Sequence, residues 1–331
     1  AKIQAAQGDN YPAWVLDQLN LQTELANRVA MGPGLRPPRF RWVAFDDALL
    51  LPFDVSVLAS ENPDRKYFLG REKDILRQYL TAAHVNQLPA TLAAYIAQVV
   101  MPTLEREKQQ GAVAIKFEAA YLRPLNFQPP DMAAAASAYA KGGALDKADA
   151  YRLEDAIFHA IAVKAGELHL PVHFHTGFGC GSYFDLRGAN PLLLDGVLND
   201  PSLRGTTFVL LHGGAGPYSK AVAGLLSKPN VYTDFSEQTW LLPTFQVAKM
   251  LRYWLEYYPD KIMFGTDASP GTPDIDWPEY AFQANASGRR ALAMALTGML
   301  RDHEITRARA LEIAHAVMRG TALHLYGWPE P

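Results

Sequence analysis

The chain has 331 residues, 49% of them hydrophobic and 20% charged, the make-up of a folded protein with room for a large core. Its 31 basic and 34 acidic residues leave a net charge of -3 with no block of one sign, which argues against a nucleic-acid partner and for a small-molecule one. The single cysteine, Cys180, excludes an internal disulfide framework and a thiolate-built zinc site, and no apolar run reaches the roughly 18 residues of a membrane helix.

In chain order, Asn10 and Pro12 announce a helix over residues 11–20, with proline in its first turn. Residues 24–31 and 40–45 read as strands, separated by Gly32-Pro33-Gly34 and Pro37-Pro38, which punctuate the chain. Residues 51–110 contain amphipathic patches at 73–83 and 90–100 but no strand pattern; this stretch is predicted to be a helical insertion, placed as a lid over the site. A strand at 112–117, a short alanine-rich helix at 132–139 and a helix at 153–165 follow. From residue 171 the order is strand 171–175, helix 192–198, strand 207–211, helix 219–226, strand 231–234, helix 245–257 and strand 262–266. The last sixty residues, including 285–331, are expected to be helical. Nothing repeats at a fixed period, so residues 1–331 are read as one domain.

Apolar strands alternating with helices imply parallel strands joined by crossovers. Seven strands are counted, one fewer than a closed (β/α)8 barrel requires. Three of them end in residues able to bind a metal. In Pro171-Val172-His173-Phe174-His175-Thr176-Gly177 the two-residue period puts His173 and His175 on one face, with His175 at the C-terminal end, where barrel enzymes keep their ligands. The strand at 207–211 delivers His212 before Gly213-Gly214, and the strand at 262–266 delivers Asp267. His173 lies one pleat deeper than His175. Lys116, between Ile115 and Phe117, is costly on a buried strand without a partner, and Glu118 on the same face is a candidate for it. Arg123 has the donor fork of a carboxylate clamp, and Asp234 ends the strand at 231–234. Cys180 sits in a glycine-rich turn with no base to activate it.

The series His175-Thr176-Gly177, Leu211-His212-Gly213-Gly214 and Phe264-Gly265-Thr266-Asp267 resembles the amidohydrolase-related branch of the metal-dependent TIM-barrel hydrolases. That group includes the aminocarboxymuconate semialdehyde decarboxylase-like enzymes, and the resemblance covers residues 11–328. It implies an α/β, (β/α)8 TIM barrel with helical insertions, in which His175, His212 and Asp267 end the fifth, sixth and eighth strands as metal ligands. The family's first strand, with its His-x-His pair, has no counterpart before residue 173, so a first strand is expected to be missing from the chain. The start at Ala1 without methionine fits processing or truncation.

The resemblance further implies one divalent metal, zinc by its imidazole-rich ligands, with manganese or iron as alternatives. A second metal bridged by a carboxylated Lys116 is disfavoured against substrate contact. Asp267 would take the proton of an attacking water, and His212 would ligate or stabilise the oxyanion. His173, Lys116, Glu118, Arg123 and Asp234 would face the substrate or support the ligands. The expected reaction is hydrolysis of an amide, ester or lactone carbonyl in a small substrate. Non-oxidative decarboxylation of an unsaturated or aromatic acid is the alternative, and a non-catalytic barrel the third reading. A cytoplasmic location is favoured by the lone cysteine and the lack of a signal segment, and a homo-oligomer stays open.

Overall fold

The computed structural model describes residues 2–53, 58, 62–271 and 275–329. It contains two compact units: one consists of Leu25–Met31 and Arg41–Phe208, the other of Ala1–Glu24, Gly32–Phe40 and Val209–Pro331. Within each unit the strands follow chain order. The first unit takes most of β1 (Glu24–Arg28), β2 (Phe40–Phe45), β3 (Ala112–Phe117) and β4 (Val172–His175); the second takes most of β5 (Phe208–Leu211), β6 (Val231–Asp234) and β7 (Ile262–Met263).

In the first unit, β2 pairs parallel with β3, and β3 with β4, with Phe45 opposite Lys116, Lys116 opposite His173 and Phe117 opposite Phe174. Alternation then sorts the side chains. Phe117 and Phe174 go to one face, with ring centroids 5.7 Å apart, and both pack on Phe158 at 5.5 and 5.6 Å. Lys116, His173 and His175 go to the other. Phe158 belongs to the helix Lys147–Glu167, which begins earlier than the expected 153 because the Asp146 side chain accepts from the Asp149 N–H at 2.8 Å and so caps it.

The 51–110 stretch is helical where it is described; residues 54–57 and 59–61 lie outside the described residues. Helix α1 (Pro63–Ala82) starts at Asn62, whose side chain accepts from the Asp64 N–H, with Pro63 in the first turn. Its buried residues Arg65, Glu72, Ile75, Leu76 and Tyr79 share one side at helical spacing. That side contacts the turns Asp47–Leu50 and Ala119–Tyr121, which directly follow β2 and β3, so α1 lies at the C-terminal ends of these strands. Residues 92–109 form Leu92–Tyr95, a π-helical turn Ile96–Val100 and helix α2 (Met101–Gln109). Pro102, in the first turn of α2, has no N–H to continue the ladder from the preceding turn. The helix expected at 192–198 is a 3-10 turn, Pro191–Leu194, followed by Asp195–Asn199.

In the second unit β6 pairs parallel with β7, Thr233 opposite Ile262 and Asp234 opposite Met263. β7 stops at Met263 rather than 266 because the Phe264 N–H donates to the Val317 carbonyl at 2.9 Å. Helices α3 (Thr244–Leu255) and α4 (Trp277–Arg301) pack together. Trp254 of α3 is fully buried and donates to the Ser219 carbonyl at 2.7 Å. Its ring explains Gly213: a Cβ there would lie 2.0 Å from Trp254, and φ is +54°, so only glycine fits. Among the described residues no helix is long and apolar enough to cross a membrane.

Candidate active site

In the first unit the C-terminal ends of β2, β3 and β4 gather ionisable groups. His173 and His175 are each 4% exposed. Burial first, and the Lys116 charge second, push both imidazoles down to about 3, so each is neutral near pH 7 and keeps a lone pair, the form that binds a metal. His175 is walled by rings: Tyr121 lies 4.8 Å and Phe184 5.9 Å away, centroid to centroid, and Tyr121 continues to Phe68 of α1 at 4.6 Å. Tyr121 also accepts the Cys180 N–H through its hydroxyl at 3.1 Å. Cys180 is thus an exposed thiol in a loop steadied by its backbone.

Lys116 Nζ lies 3.5 Å from Glu118 Oε1, the partner that burial on the strand demands. Two carboxylates unmarked in the sequence reading join them. Asp47, 1% exposed, accepts the Glu118 N–H on Oδ2 at 2.7 Å. Glu72 of α1 is buried, and desolvation with the nearby Glu118 charge pushes it up to about 8. Asp47 is raised well above the carboxylate range by burial and then by Glu72. Asp46 beside it is fully buried, and burial raises it to about 7. The only sequence signal for this group was Asp46-Asp47 directly after an apolar strand; Glu72 is part of a helix whose inward side cannot be told from its outward side until the partner is known.

Arg123 departs from the substrate-clamp expectation. Its guanidinium is 2% exposed, donates to Glu154 Oε2 at 3.0 Å, Asp155 Oδ1 at 2.7 Å and the Pro124 carbonyl at 3.2 Å, and lies over the Phe127 and Tyr151 rings. The fork is consumed inside the unit, and its task is to tie the loop after β3 to the helix Lys147–Glu167.

The second unit holds His212, Asp234 and Asp267. His212 is 2% exposed and has φ +64°; Asp267 has φ +52°. Left-handed backbone at a non-glycine residue costs on the order of 1 kcal/mol and is concentrated at functional sites. Asp234 Oδ1 is the hub: it accepts the His212 N–H at 2.7 Å, the Ser236 N–H at 3.3 Å and the Ser236 hydroxyl at 2.8 Å. His212 Nδ1 lies 2.8 Å from Ser236 Oγ. With Asp234 ionised, the Ser236 proton goes to Asp234, so Ser236 accepts from Nδ1–H and the lone pair falls on Nε2. Gln238 Nε2 donates to the His212 carbonyl at 2.6 Å, which fixes the residue further. Gly265 explains how the end of β7 comes so close: a Cβ there would meet Asp234 Oδ2 at 2.6 Å. Sequence reasoning missed Ser236, although its place two residues after Asp234 is the spacing of a local side-chain turn.

The described residues contain no group of three or more His, Cys, Asp or Glu side chains already set for a metal ion. The donor chemistry nonetheless suits a divalent cation, since His175 is held neutral and the His212 chain leaves an Nε2 lone pair.

The amidohydrolase family profile matches residues 57–328. Among solved structures, a Lactobacillus casei ATCC 334 protein, provisionally described as a metal-dependent hydrolase, is similar over 96% of this chain and 76% of its own, with a TM-score of 0.70 and 21% identity. Uronate isomerase from Thermotoga maritima (95% of this chain, 69% of its own, TM-score 0.66) and glucuronate isomerase from Caulobacter crescentus (99%, 69%, 0.62) are each 13% identical. At such identities these likenesses speak for the fold, an α/β fold of the TIM-barrel type. No curated protein matches the chain. The profile spans most of the chain, including the ends of β4, β5 and β6 and Asp267, and on that ground the protein belongs to the amidohydrolase family.

Proposed function

We propose that the protein is a metal-dependent hydrolase of a carbonyl compound of the amide, ester or lactone type. The observation that carries this reading is the Asp234–Ser236–His212 chain, which fixes one imidazole tautomer and presents Nε2 as a ligand. Membership of the family implies a divalent metal; His175 in the first unit, and His212 and Asp267 in the second, are each proposed as ligands, and zinc suits imidazole donors. Such an ion, when bound, polarises a carbonyl and acidifies water.

The chain's own residues supply the rest. Asp267 accepts the proton of the attacking water and returns it to the leaving group. Asp267 is partly buried. His212 acts as ligand rather than oxyanion donor, because the Ser236 bond keeps its proton on Nδ1. Burial keeps His173 neutral beneath His175, where it supports that ring without adding charge. Decarboxylation is disfavoured by two observations. Arg123, the expected anchor for an acidic substrate, is spent on Glu154 and Asp155, and Lys116 is paired with Glu118.

The test is a panel of amides, esters, lactones and unsaturated or aromatic acids offered to the zinc- or manganese-loaded chain, with product and carbon dioxide measured together. Carbonyl hydrolysis without carbon dioxide supports the reading. Carbon dioxide release from an acid replaces it with the decarboxylase.

A further inference from the structure

The proposed hydrolysis leaves the acid group at the ends of β2 and β3 without a role. We propose that Asp47, Glu72 and Glu118, with the Phe68 and Tyr121 rings, recognise a monocationic nitrogen group, an amidinium, guanidinium or ammonium, on the substrate. The proposal rests on the hydrolytic reading only in that the cation belongs to the molecule being hydrolysed.

Geometry carries it. The three carboxylates come from the turn after β2, from α1 and from the end of β3, and α1 contacts both turns. Asp47 Oδ1 and Glu72 Oε2 are buried and, among the described residues, have no hydrogen-bond partner, while Asp47 and Glu72 are only 1% and 8% exposed. Burying such oxygens unpaired is costly, by about 1–3 kcal/mol or more for a charged group; a ligand donor relieves that cost. Charge says which ligand. Asp47 and Glu72 crowd Glu118, with Lys116 and, on the exposed side of α1, Arg71 as the cations that oppose them; a bound organic cation would let these acids give up their protons and would satisfy the unpaired oxygens with N–H donors.

The rings complete the site. Phe68 stands one turn before Glu72, and i, i+4 residues share a helix side. Tyr121 stands three residues beyond Glu118 and lies 4.6 Å from Phe68. Aromatic faces beside carboxylates are the setting in which guanidinium and ammonium groups bind. The Glu118 side chain, 30% exposed, gives access from solvent. Tyr121 also touches His175 at 4.8 Å, so the cation would sit one ring away from a proposed metal ligand. This arrangement would select a substrate with its charged nitrogen at a short, fixed remove from the scissile carbonyl.

The test is isothermal titration calorimetry on the full chain at pH 8 with benzamidine, benzamide and benzoate, on wild type, Glu72→Gln, Asp47→Asn and Phe68→Leu. Benzamidine should bind about tenfold or more tighter than the neutral and anionic analogues, and lose about tenfold or more in Glu72→Gln. Phe68→Leu should weaken it several-fold. Thermal melts separate lost binding from lost folding; Glu72→Gln replaces a buried carboxyl whose Oε2 lacks a hydrogen-bond partner among the described residues with a neutral side chain of the same shape and should melt no lower than wild type. Equal binding of the three probes, or affinity untouched by Glu72→Gln and Asp47→Asn alike, overturns the proposal and leaves the acids as holders of protons. Since binding needs no turnover, benzamidine selectivity without any carbonyl hydrolysis would sink the hydrolytic reading alone. Hydrolysis of neutral substrates without that selectivity would sink this inference alone.

Discussion

The two strand-end histidines proposed as ligands are prepared in different ways. His175 is kept neutral chiefly by its surroundings: burial and the Lys116 charge lower its basicity, a bond to the Phe178 backbone offsets them in part, and Tyr121 and Phe184 wall the ring. His212 is prepared by direction, through a bond to Ser236 that passes to Asp234, in a backbone conformation few residues adopt. A bulk effect such as desolvation is spread over many atoms and survives single substitutions. A directed chain fails when one link is cut. The two histidines should therefore respond unequally to changes in their neighbours.

The largest effect is expected at Asp267, in the same unit as the directed chain. Asp267→Asn should lower turnover by about 10²–10⁴-fold, the usual worth of a general base, with little change in melting temperature, because asparagine tolerates the left-handed backbone at this position. A variant that melts far lower would move Asp267 from chemistry to structure.

Arg123 tests the claim that the first unit spends its charges on itself. Arg123→Met should cost about 3–5 kcal/mol in stability, the penalty for stranding buried partners, measured by denaturant unfolding, while turnover per folded molecule with an uncharged substrate stays near wild type. Retained stability with weakened binding of an acidic substrate would restore the carboxylate clamp.

Ser236→Ala should reduce metal affinity or turnover by about 10–100-fold, as loss of an orienting partner does. Phe184→Leu, beside His175, should change either by less. Equal effects would erase the distinction between the two histidines.

The smallest effect is in the pH dependence of stability. Glu72 is pushed up to about 8, and Glu24, Asp46 and Glu154 to about 7, each chiefly by burial. A carboxyl raised in the folded state binds its proton more tightly there, so its stabilisation is complete below the unfolded value near 4 and is lost as pH rises through 7 and 8. Histidine opposes this only below about 6.5, where the unfolded chain protonates. Between pH 6.5 and 8.5 the melting temperature should therefore fall, and Glu72→Gln should flatten that fall.

Much of the frame was legible because β3, β4, β5 and β6 are apolar runs ending in turn residues, and the two-residue period placed Lys116, His173 and His175 on one face, as their register confirms. β7 was read too long because the competing acceptor for Phe264 is Val317, more than fifty residues onward. Arg123 was misjudged for the same reason: Glu154 and Asp155 belong to a later helix, and a loop arginine carries no mark of its partners. Asp47 and Glu72 stayed hidden because their importance lies in burial, a property of the packed unit.

The most direct test of the central claim is the metal content of the chain after dialysis against zinc or manganese at neutral pH, measured by elemental mass spectrometry for wild type, His175→Asn, His212→Asn and Asp267→Asn. The account predicts about one ion per chain in wild type, its retention reduced in each variant. No bound ion in wild type, or full retention in all three variants, would contradict it.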